Sequence, residues 1–327
     1  MKALALRSTL LVALLASILT AALPAFAQSF PSKPISIVHA SPPGGGLDVQ
    51  ARIVAAAVSP IFGQPVVALS RPGASLTLAA TTMLNAPADG HMVMVNMGGL
   101  VSEVPHILDA GYDPFNDIVP LAELYNTGLF LVARPDFPAN NIEELVALAK
   151  EAAPGTYSFG SYGAGTLSHV FGLMLNESAG IELMHVPYKG APLALQDLVG
   201  GHVDLASVGP TPLPGLVEAG RVKLLGFSGE ARSPKYPDVP TVAESGYPDV
   251  IAKIGVALFG SAKMPVEVRD QWREAVFRAL EDEQTIKSMA MSGNVPAEPK
   301  SSEEISASLK ADYDRMGTFM SQVKSDK

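Results

Sequence analysis

Short β-branched runs alternate with stretches of helical periodicity along most of this chain. Pro34 to Ala40 reads as a strand, and Val54, Val58, Ile61 and Phe62 recur at helix spacing after it. Gly63-Gln64-Pro65 stops that helix, and Val66 to Leu69 reads as a second strand. The turn Arg71-Pro72-Gly73-Ala74 leads into a helix with Ser75 as its expected cap, reaching Asn85. Pro87 to Gly90 turns the chain into a third strand, Met92 to Asn96, ending in Met97-Gly98-Gly99. Three such strand–turn–helix units predict a parallel α/β sheet, whose ligands bind beyond the carboxyl ends of the strands. Asn116 to Arg134 reads as two strands, the second, Leu124 to Val132, crossing into another domain.

The style then repeats. Asn141 opens a capping-box-like helix to Glu151, and strands follow at Tyr157 to Gly160, Met184 to Val186, Val203 to Ser207 and Lys223 to Ser228. Val250 to Phe259 reads as a strand running back. The stripes Val268, Trp272, Val276, Leu280 and Ile305, Leu309, Tyr313, Met316, Met320 predict terminal helices that pack on the first domain. The expected organisation is a leader at 1–27, a first domain at 28–126 completed by 251–327, and a second domain at 127–250.

Two glycine-rich turns carry the candidate chemistry. Ser41, Pro42, Pro43, Gly44, Gly45 and Gly46 lie between the first strand and helix, with Asp48 in the first helical turn. Glycines let backbone approach a ligand, and the unpaired amides and dipole of a helix N-terminus favour an anion. Ser161, Gly163, Gly165 and Thr166 form the second turn, with Ser168 and His169 opening its helix. Facing domains would aim both turns into one cleft suited to a small carboxylate or dianion. Met97 and Gly98 would lie at the same edge, and Tyr188, Asp204 and Ser207 are further candidates from the second domain.

Composition narrows the field. Met1-Lys2, Arg7, an apolar run from Leu10 to Leu23 and Ala25-Phe26-Ala27 have the layout of a cleaved secretory signal. Loss of Lys2 and Arg7 would take the formal charge from −9 to −11, the wrong sign for nucleic acid or anionic lipid. No second span-length apolar run follows, so insertion in a membrane is not expected. With no cysteine, stability rests on a core instead of disulfides. The six histidines lack zinc-motif spacing, and Gly163-Ala164-Gly165-Thr166-Leu167-Ser168 lacks the third glycine of a dinucleotide loop, so neither metal nor cofactor is expected. Two rivals to a binding protein stand: a secreted α/β hydrolase using Ser161 and His169, without a G-x-S-x-G elbow, and a sensor subunit for a signalling partner.

Many stretches in order resemble one family, the extracytoplasmic receptors of tripartite tricarboxylate transporters (TctC, or Bug). They include Pro43-Gly44-Gly45-Gly46-Leu47-Asp48, Gly63-Gln64-Pro65-Val66-Val67, Arg71-Pro72-Gly73-Ala74, Ala86-Pro87-Ala88-Asp89-Gly90, His185-Val186-Pro187-Tyr188-Lys189-Gly190 and Gly200-Gly201-His202-Val203-Asp204. The resemblance implies a type II periplasmic binding protein-like α/β fold, two domains with a cleft and hinge strands. It also implies a monomer that delivers a small carboxylate to membrane transporter subunits without catalysis. The carboxylate would be clamped by Ser41 to Gly46 with Asp48 and by Ser161 to Ser168, partly through water. Departures stand at Ser41-Pro42-Pro43, at Ser70 to Leu76 in place of N-R-P-G-A-G-G, and at Ala206 to Pro210. They exchange polar groups for apolar ones and predict a ligand less polar or bulkier than a short dicarboxylate.

Overall fold

The computed structural model describes residues 30–325; the proposed leader lies outside them. Two five-stranded sheets share the chain. The first has the strand order β2-β1-β3-β10-β4, built from β1 (Ile35–His39), β2 (Val66–Ser70), β3 (Met92–Met97), β4 (Ile118–Gly128) and β10 (Lys253–Ser261). The second has the order β7-β6-β8-β5-β9, from β5 (Phe130–Ala133), β6 (Ser158–Ser161), β7 (Met184–Pro187), β8 (Leu205–Val208) and β9 (Lys223–Phe227).

Both sheets are mixed, not parallel as the strand–helix alternation predicts. β1 runs parallel to β2 and β3, but β10 is antiparallel to β3 and β4. β6 runs parallel to β7 and β8, but β5 is antiparallel to β8 and β9. In each sheet the reversed strand is the one that has just arrived from the other sheet. The first crossing falls at Leu129, between β4 and β5, later than a crossing strand starting at Leu124.

The two crossings are tied together at Ser228, which directly follows β9. Its N–H donates to the Leu129 carbonyl at 2.8 Å, and its Oγ accepts from the Leu129 N–H at 2.8 Å. The same hydroxyl donates to the carbonyl of Ala252 at 2.6 Å, and the Ala252 N–H returns a bond to the Ser228 carbonyl at 3.0 Å. Ala252 directly precedes β10, so one fully buried serine joins both connections.

Local chemistry accounts for the elements around the cleft. β1 is buried on both faces apart from Ser36, as expected of an interior strand in a helix-covered sheet. Helix α1 (Gly46–Phe62) ends where Gly63 turns left-handed at φ 64°, its N–H bonded to the Ser59 carbonyl. Ser75 does not cap the next helix, α2 (Thr77–Leu84). It sits in a tight turn at φ 48°, between Ala74 at 45° and Leu76 at 80°. Trp272, on helix α3 (Val266–Glu281), is fully buried and donates from its indole N–H to the Gly90 carbonyl at 3.0 Å.

The last helix, α4 (Ser302–Ser325), packs on β4 and on the turn after β3, as its stripe predicts. It also does something the stripe does not show. Met316 and Met320 close over Val170, on the helix Leu167–Ala179 that follows the second glycine-rich turn. The helix therefore bridges the two sheets.

Candidate functional site

The gap between the sheets is closed by direct contacts. A Cβ on Gly190 would stand 2.5 Å from Pro42 Cδ, one on Gly46 3.6 Å from Thr211 Oγ1, and one on Gly165 3.1 Å from the Ile107 side chain. The Asn294 amide donates to Thr211 Oγ1 at 3.1 Å, reaching from the segment after the helix Glu283–Met291 into the second domain. Among the described residues, three hollows border this seam. The smallest, about 30 Å³, lies between Ser41 and Gly46 on one side and Gly190, Ala191 and Gly209 to Pro212 on the other. A second, about 280 Å³, runs from Met97 and Gly98 to Lys253, Lys300 and Arg315. A third, about 210 Å³, lies between Gly73 to Leu76 and Tyr162 to Ala164, with Tyr188 at its rim. Leu76 and Tyr162 line all three, so the hollows adjoin at this pair.

The first glycine-rich loop borders the seam. Ser41 and Gly46 line the small hollow. Gly45 is the residue preceding the helix, and the N–H groups of Gly46 and Leu47 have no hydrogen-bond partner among the described residues. Pro42 presses on Gly190, whereas Pro43 and Gly44 face an outer groove with Pro192 and Leu216. Asp48 does not face the cleft. Its carboxylate is 4% exposed, accepts from the Gly44 N–H at 2.9 Å and from Arg52 Nε at 3.0 Å, and stays below its usual pKa through these bonds despite its desolvation. His39 Nε2 is 3.2 Å away, but burial lowers the imidazole's pKa, so His39 is neutral at pH 7 and the contact is not an ion pair. Asp48 thus shapes the loop and leaves the amides free.

The second loop is arranged differently from the expectation of hydroxyls offered to a ligand. Ser161, Thr166, Ser168 and Ser207 are fully buried. Thr166 Oγ1 donates to the Gly163 carbonyl at 2.6 Å, and Ser168 Oγ donates to the Ser207 carbonyl at 2.6 Å. Ser161 Oγ lies 2.7 Å from His185 Nε2 and accepts from the Gly163 N–H at 3.2 Å. Gly163 approaches Ser75 across the seam, and Gly165 approaches Ile107. Across from the first loop, the residues lining the small hollow come from the Gly190 and Gly209–Pro212 segments, together with Tyr162. Gly190-Ala191-Pro192 is another helix-opening glycine turn, at the end of the family-like stretch His185 to Gly190.

Three further placements differ from expectation. Asp204 lies at the start of β8, the far end from the seam, accepting from the Ser158 N–H at 3.0 Å and paired with Arg134 at 3.3 Å. The Tyr188 hydroxyl donates to Asp197 at 2.7 Å, so only its ring borders the third hollow. The Ser161 partner is His185, not His169. His169 stacks on His185 with ring centroids 3.8 Å apart, and its Nδ1 accepts from the Gly165 N–H at 3.1 Å. Burial lowers His185 to about 4, with its neighbour His169 adding to the effect, so it is neutral at pH 7. No carboxylate orients His185 among the described residues, the third element of a nucleophilic triad.

Two further residues complete the seam, Tyr162 and Glu103. Tyr162 has a buried hydroxyl without a hydrogen-bond partner; the Ser168 amide approaches it but does not reach bonding geometry. Glu103 is buried, and desolvation raises its carboxyl to about 7. Tyr162 falls inside the second glycine-rich turn, whereas Glu103 lies in no recognisable motif. Among the described residues no helix is long and apolar enough to cross a membrane, and no cluster of His, Cys, Asp or Glu has metal-site geometry.

Two sheets linked by paired crossings, with a seam between strand ends, define a two-domain binding protein of the periplasmic kind. The sequence matches the tripartite tricarboxylate transporter family receptor over residues 50–323, and the chain belongs to that family. It is 30% identical to the UPF0065 protein in the TAR-I ttuE-ttuC' intergenic region of Agrobacterium vitis, across 90% of this chain and 86% of that one. Among solved structures, periplasmic binding protein BugD superposes with a TM-score of 0.84 and 29% identity, over 90% of this chain and 98% of its own. MatC from Rhodopseudomonas palustris with bound malate gives 0.83 and 27%, over 88% and 99%. A second Rhodopseudomonas palustris protein, with adipate, gives 0.82 and 25%, over 88% and 95%.

Proposed function

We propose that this protein is an exported, non-catalytic receptor that holds a small carboxylate in the seam between its sheets and hands it to a tripartite membrane transporter. The observation that carries the reading is the small hollow at the start of α1. There, unbonded amides of a helix N-terminus meet the second domain across a gap closed by contact. Malate and adipate in related proteins of the same fold support a carboxylate as the class. Ala40, Leu76, Met97, Ile254, Pro210 and Pro212 give that hollow a largely apolar wall, which favours a ligand with an apolar body over a short dicarboxylate. The acid group would sit against Ser41 and Gly46, with Gly163 and Gly165 securing closure instead of gripping the ligand.

Thermal-shift screening of the mature chain against mono-, di- and aromatic carboxylates tests this. At least one is expected to raise the melting temperature, with no product formed. A library-wide absence of any shift, confirmed by calorimetry, would remove the carboxylate reading; turnover of a bound ester or amide would revive the hydrolase.

A further inference from the structure

The larger hollow is lined by three cations and three acids, and one of those acids has no ion-pair partner among the described residues. Three cations line it, and each already holds an acid: Lys300 on Glu123 at 2.6 Å, Arg315 on Asp312 at 2.8 Å, and Lys253 on Glu230 at 2.5 Å. Glu103 lines the same hollow and has no cation within ion-pair distance among the described residues. Its Oε2 accepts from Ser102 Oγ at 2.9 Å, and its Oε1 accepts no hydrogen bond among the described residues. Tyr162, from the opposite domain, lines the same hollow, and its buried hydroxyl has no hydrogen-bond partner among the described residues. A buried phenol without a partner is costly unless something bonds to it, and the Glu103 carboxyl that lines the same hollow has an oxygen left to accept.

We propose that the ligand carries a protonated amine as well as its carboxylate, with the ammonium between Glu103 and Tyr162 and the acid group at the Ser41–Gly46 loop. An ammonium has three donors and no acceptor, which suits a carboxylate oxygen and a phenol oxygen together. Leu76, Met97 and Ile254 line both hollows and would cover methylenes between the two ends. A second carboxylate at this position would face Glu103 with every neighbouring cation already engaged. The groups that bear on Glu103 are Asp312 and Arg315 from α4, Ser102 beside it and Tyr162 from the second domain. This assignment rests on the carboxylate-receptor reading above.

Calorimetric titration of the mature chain separates the two. The probes are 4-aminobutyrate, 5-aminopentanoate and 6-aminohexanoate, each beside the monocarboxylate and dicarboxylate of equal carbon count. One amino acid of the series is expected to bind roughly tenfold more tightly than both of its counterparts, the scale of a buried charged hydrogen bond. That advantage is expected to shrink to within about threefold in Glu103→Gln and to fall by a smaller factor in Tyr162→Phe. Tyr162→Phe keeps the ring and serves if Glu103→Gln fails to fold. Mono- or dicarboxylates binding as tightly as the amino series, or an advantage unchanged in the folded variants, would overturn the amine and leave the carboxylate receptor standing. Failure of all three series, together with the wider carboxylate screen, would remove both.

Discussion

Pro42 and Gly190 meet across the seam, and the space between them admits no side-chain carbon: a Cβ at 190 would stand 2.5 Å from Pro42 Cδ. Gly190 also holds φ 129°, a conformation that L side chains rarely adopt. Gly190→Ala is therefore expected to wedge the domains apart. Ligand affinity should fall by roughly tenfold or more as the closed population shrinks, and small-angle scattering should show a larger radius of gyration in saturating ligand. An unchanged affinity with an unchanged radius would show that the contact is not part of the bound state.

The turn Ala74-Ser75-Leu76 holds three successive residues at positive φ without a glycine. An L residue in the left-handed region costs about 1–2 kcal/mol. Ser75→Gly is expected to raise stability by about 1 kcal/mol, read from the midpoint of chemical denaturation. Ser75 lies against Gly163 on the other domain, so the same variant should also loosen closure. A destabilised Ser75→Gly would mean that the hydroxyl holds the turn more strongly than the backbone strains it.

Acidification acts on the second loop through His185. Its pKa in the folded protein, about 4, is below the ordinary value of 6.5, so the fold disfavours the protonated ring. The stabilisation is present above pH 6.5 and is lost as pH falls toward 4, on the order of 2 kcal/mol after allowance for its partial exposure. Melting temperatures of the wild type should drop more steeply over that interval than those of His185→Gln. His39, lowered in the same direction by burial, remains in both proteins and cancels in the comparison.

Glu103 works with the opposite sign. Burial lifts its carboxyl from 4.5 to about 7, so the folded state favours the proton. That contribution is full below pH 4.5 and is lost as pH rises through 7, roughly 3 kcal/mol if the whole shift applies. Glu103→Gln should therefore gain on the wild type as pH rises from 4.5 to 8 in the absence of ligand. Parallel stability curves would show that the carboxyl is solvated in the empty protein.

Much of this molecule is readable from the chain. β1, α1 and the Gly63 stop follow from β-branched runs, helical spacing and glycine at a left-handed position. What local pattern cannot carry is direction. β5 and β10 look like any buried strand, and only the crossing between sheets makes them antiparallel. The site divides along the same line. The first loop is legible because backbone amides need only a helix start and glycines. Asp48, Asp204 and the hydroxyls of Ser161, Thr166 and Ser168 are poor guides, because a short polar side chain bonds nearby backbone as readily as a ligand. Glu103 is set by packing between distant segments, so no local motif marks it, and within the second glycine-rich turn nothing local singles out Tyr162 from its neighbours.

Ser228 holds the two inter-sheet connections within hydrogen-bonding reach of each other. Straps fixed side by side leave a swing about one line and resist both sliding and shear. Opening this receptor should then trace a single arc with its pivot at that residue, and the rim farthest from the pivot, not the floor, should decide how fast cargo is released.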